Sequence, residues 1–238
     1  MKKSILALSA TLALAALPSV SFADLAFNIG AVTDYRYRGI SQSRLKPALQ
    51  GGVDYSNGPF YLGAWASTIK WIKDAGGDSN YELDLYGGYK GEIAKDVTFD
   101  VGLLRYQYTS NKLKPSANTT EIYGALTAGP ATIKLSKSVS DTFAVVDSKS
   151  SYYLDVSAGF DVEGITLTPH IGYQKIGGST NGAGSYTDYS LTASKDISGV
   201  VVSLALVATD ADKSFYASPA NGKFLGKAGV VLGVKYNF

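Results

Sequence analysis

The chain of 238 residues carries 22 basic and 20 acidic side chains, a balance that weighs against nucleic acid, whose phosphates need a concentrated positive face. It has no cysteine, which excludes a disulfide framework, a thiolate metal site and a cysteine nucleophile. Glycine (26), tyrosine (17) and phenylalanine (9) are plentiful while proline (7) is scarce, a composition that gives a helical fold little support.

At the N-terminus, Lys2 and Lys3 precede a mostly apolar run from Ile5 to Leu17, and Ser21-Phe22-Ala23 supplies small residues where a signal peptidase reads. The run is about 13 residues, short of the ~20 needed for a membrane-spanning helix. Residues 1–23 therefore read as a signal peptide cleaved after about Ala23, and 24–238 as one exported domain.

From there on the apolar residues alternate with period 2, the mark of strands with two unlike faces. Twelve strands are expected, at roughly 25–40, 47–56, 59–71, 80–91, 97–108, 118–128, 130–140, 150–163, 164–176, 185–197, 199–210 and 227–238. In 81–90, Tyr81, Leu83, Leu85 and Tyr89 share one face, while Glu82, Asp84 and Lys90 share the other with Tyr86 among them. In 152–162, Tyr152, Leu154, Val156 and Phe160 oppose Tyr153, Asp155 and Asp161. The phase of 97–108 breaks near Leu104-Arg105, where a bulge is expected.

The links between strands alternate in length. Tight turns, including Asn57-Gly58, Gly129-Pro130, Glu163-Gly164 and Ser198-Gly199, follow the even-numbered strands. Longer polar segments follow the odd ones, the longest running from Ala211 to about Gly226. Gathering every long loop at one end is the habit of an antiparallel, up-and-down transmembrane β-barrel. Lipid cannot hydrogen-bond an open strand edge, so the sheet must close, with its oily face on acyl chains and its polar face around water. The fold class is all-β, a barrel of about twelve strands. Tyr35, Tyr37, Trp65, Trp71, Tyr106, Tyr108 and Tyr236 are assigned to its interfacial girdles.

Asp34-Tyr35-Arg36-Tyr37-Arg38-Gly39-Ile40-Ser41-Gln42-Ser43, then Pro47-Ala48-Leu49-Gln50-Gly51-Gly52, resembles the N-terminal signature of the TorF-type porin family of proteobacteria. Phe60 to Ser67 continues the likeness, which is strong over about residues 27–67 and loose beyond. The resemblance implies an exported bacterial outer-membrane β-barrel with channel function. Gly233-Val234-Lys235-Tyr236-Asn237-Phe238 also resembles the Gly-x-x-aromatic-x-Phe signal read by the barrel-assembly machinery, making Gly233, Tyr236 and Phe238 a candidate assembly signal.

Asp34, Arg36 and Arg38 fall on the polar face of the first strand, where three charges at spacing 2 suit either an anionic solute or an ion-pair ladder. Further inward-facing candidates are Glu82, Asp84, Lys90, Asp100, Glu121, Lys134, Asp155, Asp161, Asp188, Asp196 and Lys235. Acids outnumber bases in that set, a weak pointer to cation preference. His170, the one histidine, shares a face with Thr166, Thr168 and Gln174 and reads as a lumen residue rather than a catalytic base. Asp74 to Asn80 lacks the spacing of a calcium loop, and Gly177 to Gly184 lacks the lysine of a phosphate cradle. The expectation is a non-enzymatic channel without cofactor or metal, passing small hydrophilic or charged solutes. Its partners would be outer-membrane lipid and the assembly machinery, with a homo-oligomer left open. The alternative is a non-conducting barrel acting as an adhesin or structural protein through its long loops.

Overall fold

The structure, a computed structural model, describes residues 24–179 and 181–238; the expected signal peptide lies outside the described residues. The strands are β1 (Asp24–Val32), β2 (Ala48–Asn57), β3 (Phe60–Thr68), β4 (Tyr81–Ala94), β5 (Val97–Gln107) and β6 (Thr119–Ala128). They continue as β7 (Ala131–Ser138), β8 (Tyr152–Ala158, resuming after Gly159 as Phe160–Val162), β9 (Ile165–Lys175), β10 (Tyr186–Ile197), β11 (Val200–Thr209) and β12 (Gly229–Asn237). Each pairs antiparallel with its sequence neighbours, and β1 pairs with β12 in the register Ile29↔Tyr236. The sheet is thus a closed barrel of 12 strands with no free edge.

Closure dictates what each face must be. Outward along the strands stand Leu25, Ile29, Leu49, Leu62, Leu85 and Val156, all exposed, while Glu82, Asp84, Asp155 and Asp188 of the intervening positions are buried inside. An apolar belt around the whole circumference is stable against hydrocarbon, not against water. Aromatic side chains border it at both ends. Phe27 stacks on Phe238 (5.8 Å) and Phe60 packs edge-on to Tyr89 (5.1 Å) at the end with short turns, and Tyr81, Tyr152, Tyr173 and Tyr189 are exposed toward the loop end.

The girdle is therefore built from other residues than the alternation implied. Of those expected there, Tyr236 does face outward, but Tyr35, Tyr106 and Tyr108 are buried inside the barrel and Tyr37, Trp65 and Trp71 pack against them. Their hydroxyls find acceptors in the lumen that hydrocarbon lacks. Room for rings inside comes from glycine on the adjacent strand: a Cβ at Gly63 or Gly102 would stand 2.5 Å from the ring or hydroxyl of Tyr86 or Tyr123, and Gly172 similarly faces Tyr153. The abundance of both residue types has this common cause.

Two further expectations are corrected. The β4–β5 register runs unbroken from Leu83↔Gln107 to Glu92↔Thr98, and its shift falls between Glu92 and Ala94, not at Leu104-Arg105. Leu104 keeps the inward phase because the aromatic cluster beneath the loops gives it an apolar neighbourhood. The first strand stops at Val32 rather than running to residue 40, so Asp34, Arg36 and Arg38 are not on a strand wall. Residues 33–47 instead turn into the barrel mouth.

Candidate functional site

The inserted segment is a miniature hairpin. Arg36–Tyr37 pairs with Ile40–Ser41 around Arg38 (φ 48°) and Gly39 (φ 78°), the two positive values of a type I′ turn. Asp34 secures its base, accepting from Ser41 Oγ (2.5 Å) and Arg36 Nε (2.5 Å). Arg36 Nη1 is directed at the carbonyls of Gly39, Leu225 and Lys227 (2.8–3.1 Å), tying the hairpin to the 210–228 loop. Ile40 packs with Tyr186, Ala211 and Leu225. Glycine is required at 39, where a Cβ would lie 2.8 Å from that of Asp188 and closer still to Thr209. Beside the hairpin a cavity of about 280 Å³ is lined by Thr33, Asp34, Arg36, Leu45 and Lys227 to Val230.

Arg38, at the tip, reaches across the lumen from the β1 side to the opposite wall. It donates to Glu121 Oε2 on β6 (2.7 Å) and to Gln174 Oε1 on β9 (2.6 Å), and its guanidinium lies 4.3 Å from the ring centre of Tyr153 on β8. Tyr186 on β10 donates to the Arg38 carbonyl (2.9 Å). Both members of the Arg38–Glu121 pair are almost wholly buried, so the pair is a charge-assisted, desolvated bond rather than a surface contact. Next to it, His170 on β9 donates to Asp155 on β8 (3.0 Å) with its proton placed on Nε2, and Tyr153 donates to Asp188 on β10 (2.9 Å).

The wall formed by β3–β5 is different. Glu82 accepts from Tyr35 (2.5 Å) and from Tyr108 (2.5 Å), one hydroxyl on each oxygen, and no basic side chain bonds it among the described residues. Asp84, 4% exposed, has no hydrogen-bond partner for Oδ1. Trp65 and Tyr106 stand directly opposite it on the neighbouring strands, and Tyr35 packs edge-on to Trp65 (5.4 Å).

Toward the turn end the polar contacts are local. Tyr61 donates to Asp100 (2.6 Å), Tyr86 bonds Asp54, Lys134 lies 3.9 Å from the ring centre of Tyr123 and Lys90 lies 5.9 Å from that of Tyr61. Lys235 is partly buried on β12, across from Val201. Asp161 and Asp196 accept the amides of Gly164 and Gly199 (3.3 and 2.8 Å) and so close turns instead of lining the interior. Gly233 faces inward toward Ser203, while Tyr236 and Phe238 face out.

Of the residues singled out from the sequence, the structure links Arg38 to Glu121 and His170 to Asp155 and Asp188; Lys134 is the cross-strand partner of Asp155, Lys90 that of Asp100, Glu82 and Asp84 lie on β4, and Lys235 on β12. Tyr35, Tyr153, Gln174 and Tyr186 are site residues that charge counting passed over. Tyr153 and Gln174 already sit on the polar phase of their strands, which was the available signal.

A family model described as "Bacterial protein of unknown function (Gcw_chp)" matches residues 16–238. No curated protein matches the sequence. Among solved structures, a KdgM porin in complex with disordered oligogalacturonate is similar over 91% of this chain and 99% of its own, at 9% identity and a TM-score of 0.54. Outer membrane phospholipase A from Escherichia coli (13% identity, TM-score 0.46, 95% and 94% of the two chains) is also similar. So is an outer membrane channel from Pseudomonas putida F1 (15%, 0.45, 93% and 96%). At these identities the likeness is one of fold.

Proposed function

The chain belongs to the Gcw_chp family of bacterial proteins, whose model assigns no activity, and from the geometry we propose that it is an outer-membrane channel for small hydrophilic or charged solutes. The observation that carries this is the closed barrel with an apolar belt outside and carboxylates, Arg38 and His170 inside. Such a wall has no use in a dry core and sets ion selectivity in a wet one. Twelve strands give a lumen narrower than the 16–18 of general porins, and the inserted hairpin narrows it again. Small conductance follows, with passage governed by how far residues 33–47 yield. The likeness of residues 27–67 to TorF-type porins and the assembly role of Gly233, Tyr236 and Phe238 belong to the same proposal.

Nothing in the surroundings of His170 favours hydrolysis. Its hydrogen-bond partners are Asp155 and Tyr153, inside the barrel and away from the lipid face. One observation does favour a second reading, a non-conducting barrel acting through its loops: Arg38 bridges the lumen from wall to wall. Planar-bilayer recording separates the two. The folded protein is expected to give small, steady currents that grow when residues 34–43 are replaced by a short Gly-Ser link. Silence from both proteins would overturn the channel and leave the second reading.

A further inference from the structure

Glu82 and Asp84 point into the lumen one above the other on β4, and neither has a basic partner among the described residues. Glu82 is 1% exposed and Asp84 4%. Glu82 is satisfied by two tyrosine hydroxyls, whereas Asp84 Oδ1 has nothing. Folded proteins rarely keep a buried carboxylate in that condition, because it loses its hydration without a donor or countercharge in return. Two strands along, Glu121 on β6 shows the alternative, since it is neutralised by Arg38. An acidic acceptor left unpartnered on one wall is therefore open to a cation from outside the chain.

The surroundings say which kind. No group of three His, Asp or Glu lies close enough to hold a metal ion among the described residues. The cross-strand neighbours of Asp84 are aromatic, Trp65 on β3 and Tyr106 on β5, with Tyr35 packed edge-on to Trp65. Hard cations favour an all-oxygen shell of carboxylates, carbonyls and water, while aromatic rings attract ammonium and guanidinium groups. An oxygen lacking a donor also favours a cation that carries N–H over a quaternary one.

We propose that Asp84, assisted by Glu82 and framed by Trp65, Tyr35 and Tyr106, binds a small organic cation bearing N–H donors, an ammonium or guanidinium group. This rests on the channel reading, since the cation must enter through the lumen and displace the Tyr35 side of the inserted hairpin. The protein carries its own probe: both of its tryptophans are on this wall, Trp65 across from Asp84 and Trp71 edge-on to Tyr108 (5.2 Å).

The test is intrinsic fluorescence of the full, detergent-folded protein titrated with methylguanidinium, with tetramethylammonium and potassium as comparison cations. Methylguanidinium should give a saturable change, tetramethylammonium and potassium should bind at least about tenfold more weakly, and Asp84→Asn should weaken methylguanidinium by a similar factor. Equal response to all three cations, no saturable response, or undiminished affinity in Asp84→Asn would each overturn the proposal, the last pointing to a neutral Asp84 that binds nothing. Should Asp84→Asn not fold, Glu82→Gln and the cation ranking on unaltered protein decide the matter. Currents without binding would remove the site and leave the channel; binding without currents would keep the site in a lumen that admits the cation at the loop end without passing it through.

Discussion

The two walls of the loop-end lumen solve the same problem in opposite ways. Both bury carboxylates in a space closed by residues 33–47. On the β6–β10 wall the hairpin brings its own cation, and Arg38 meets Glu121 while Gln174 and Tyr186 hold the guanidinium and carbonyl. On the β3–β5 wall the hairpin brings a hydroxyl instead, from Tyr35 to Glu82, and leaves Asp84 unmatched. One wall is a latch for the loop; the other is chemistry not completed by the chain. Removing a charge should therefore have opposite consequences on the two sides.

The largest effect is expected at Arg38. Arg38→Ala strands Glu121 in a buried position and should cost about 3–5 kcal/mol, read as a lowered urea midpoint in folded, detergent-solubilised protein. Loss of the latch should also raise conductance and speed tryptic cleavage within 33–47, a segment that Arg44, donating to Asp74 (2.7 Å), still ties to the next loop. Asp84→Asn is the mirror experiment: with no cationic partner to abandon, it should leave the midpoint unchanged or higher. Equal destabilisation by both substitutions would erase the distinction between the walls. A double variant, Arg38→Met with Glu121→Gln, should recover much of the stability while the loop stays loose, since it is the uncompensated charge that is costly.

The architecture was legible because the bilayer imposes one rule on every strand. Alternation in 81–90 or 152–162 and the short–long rhythm of the links are both consequences of a closed wall between oil and water. The end of the first strand was not legible, since Asp34, Arg36 and Arg38 continue the alternation straight through a turn. Arg38-Gly39 is also a weak hairpin signal beside Asn-Gly or Asp-Gly. What bends the segment is tertiary: Ile40 finds Tyr186 and Leu225, and Gly39 fits against Asp188. The tyrosines misled for a related reason. A ring near a strand end suits an interfacial girdle equally well in the outward phase, and only the neighbouring glycine on the next strand, as at Gly172 beside Tyr153, reveals that the ring is inside.

A middling effect should come from the donors on the Glu82 wall. Tyr108→Phe removes the hydroxyl bonded to Glu82 Oε2 while keeping the ring that packs on Trp71, and should cost about 1–3 kcal/mol by leaving that oxygen unsatisfied. Tyr35→Phe does the same to Oε1 but also loosens the hairpin. Only Tyr35→Phe should therefore change the trypsin sensitivity of 33–47. If Tyr108→Phe loosened the loop equally, the hairpin would be held by the whole wall rather than by its own contacts.

The smallest effect lies outside the barrel, where charges are solvated and a bond can form and break cheaply. Asp212 in the 210–228 loop accepts the amide of Phe215 (2.8 Å), the Ser214 hydroxyl (2.8 Å) and the Ser214 amide (2.9 Å). The Phe215 amide chiefly, and the Ser214 hydroxyl after it, lower the carboxyl pKa below its ordinary value of 3.8. A depressed folded value means that the turn's support is present in full above the unfolded pKa and disappears as pH falls through the folded one. Amide-exchange protection at Ser214 and Phe215, corrected for intrinsic rates, should be flat from neutrality to about pH 5 and decline below about pH 4. Asp212→Ala should show the low protection at every pH, with the barrel unfolding midpoint unmoved because the bonds are exposed and join residues at most three apart in sequence. Protection that stayed flat into acid would mean that packing of Phe215 against Tyr216 (4.9 Å), not the carboxylate, fixes the turn. In that case the same pH test moves to the exposed Asp78–Lys112 pair (2.8 Å), where Lys112 also holds the aspartate low.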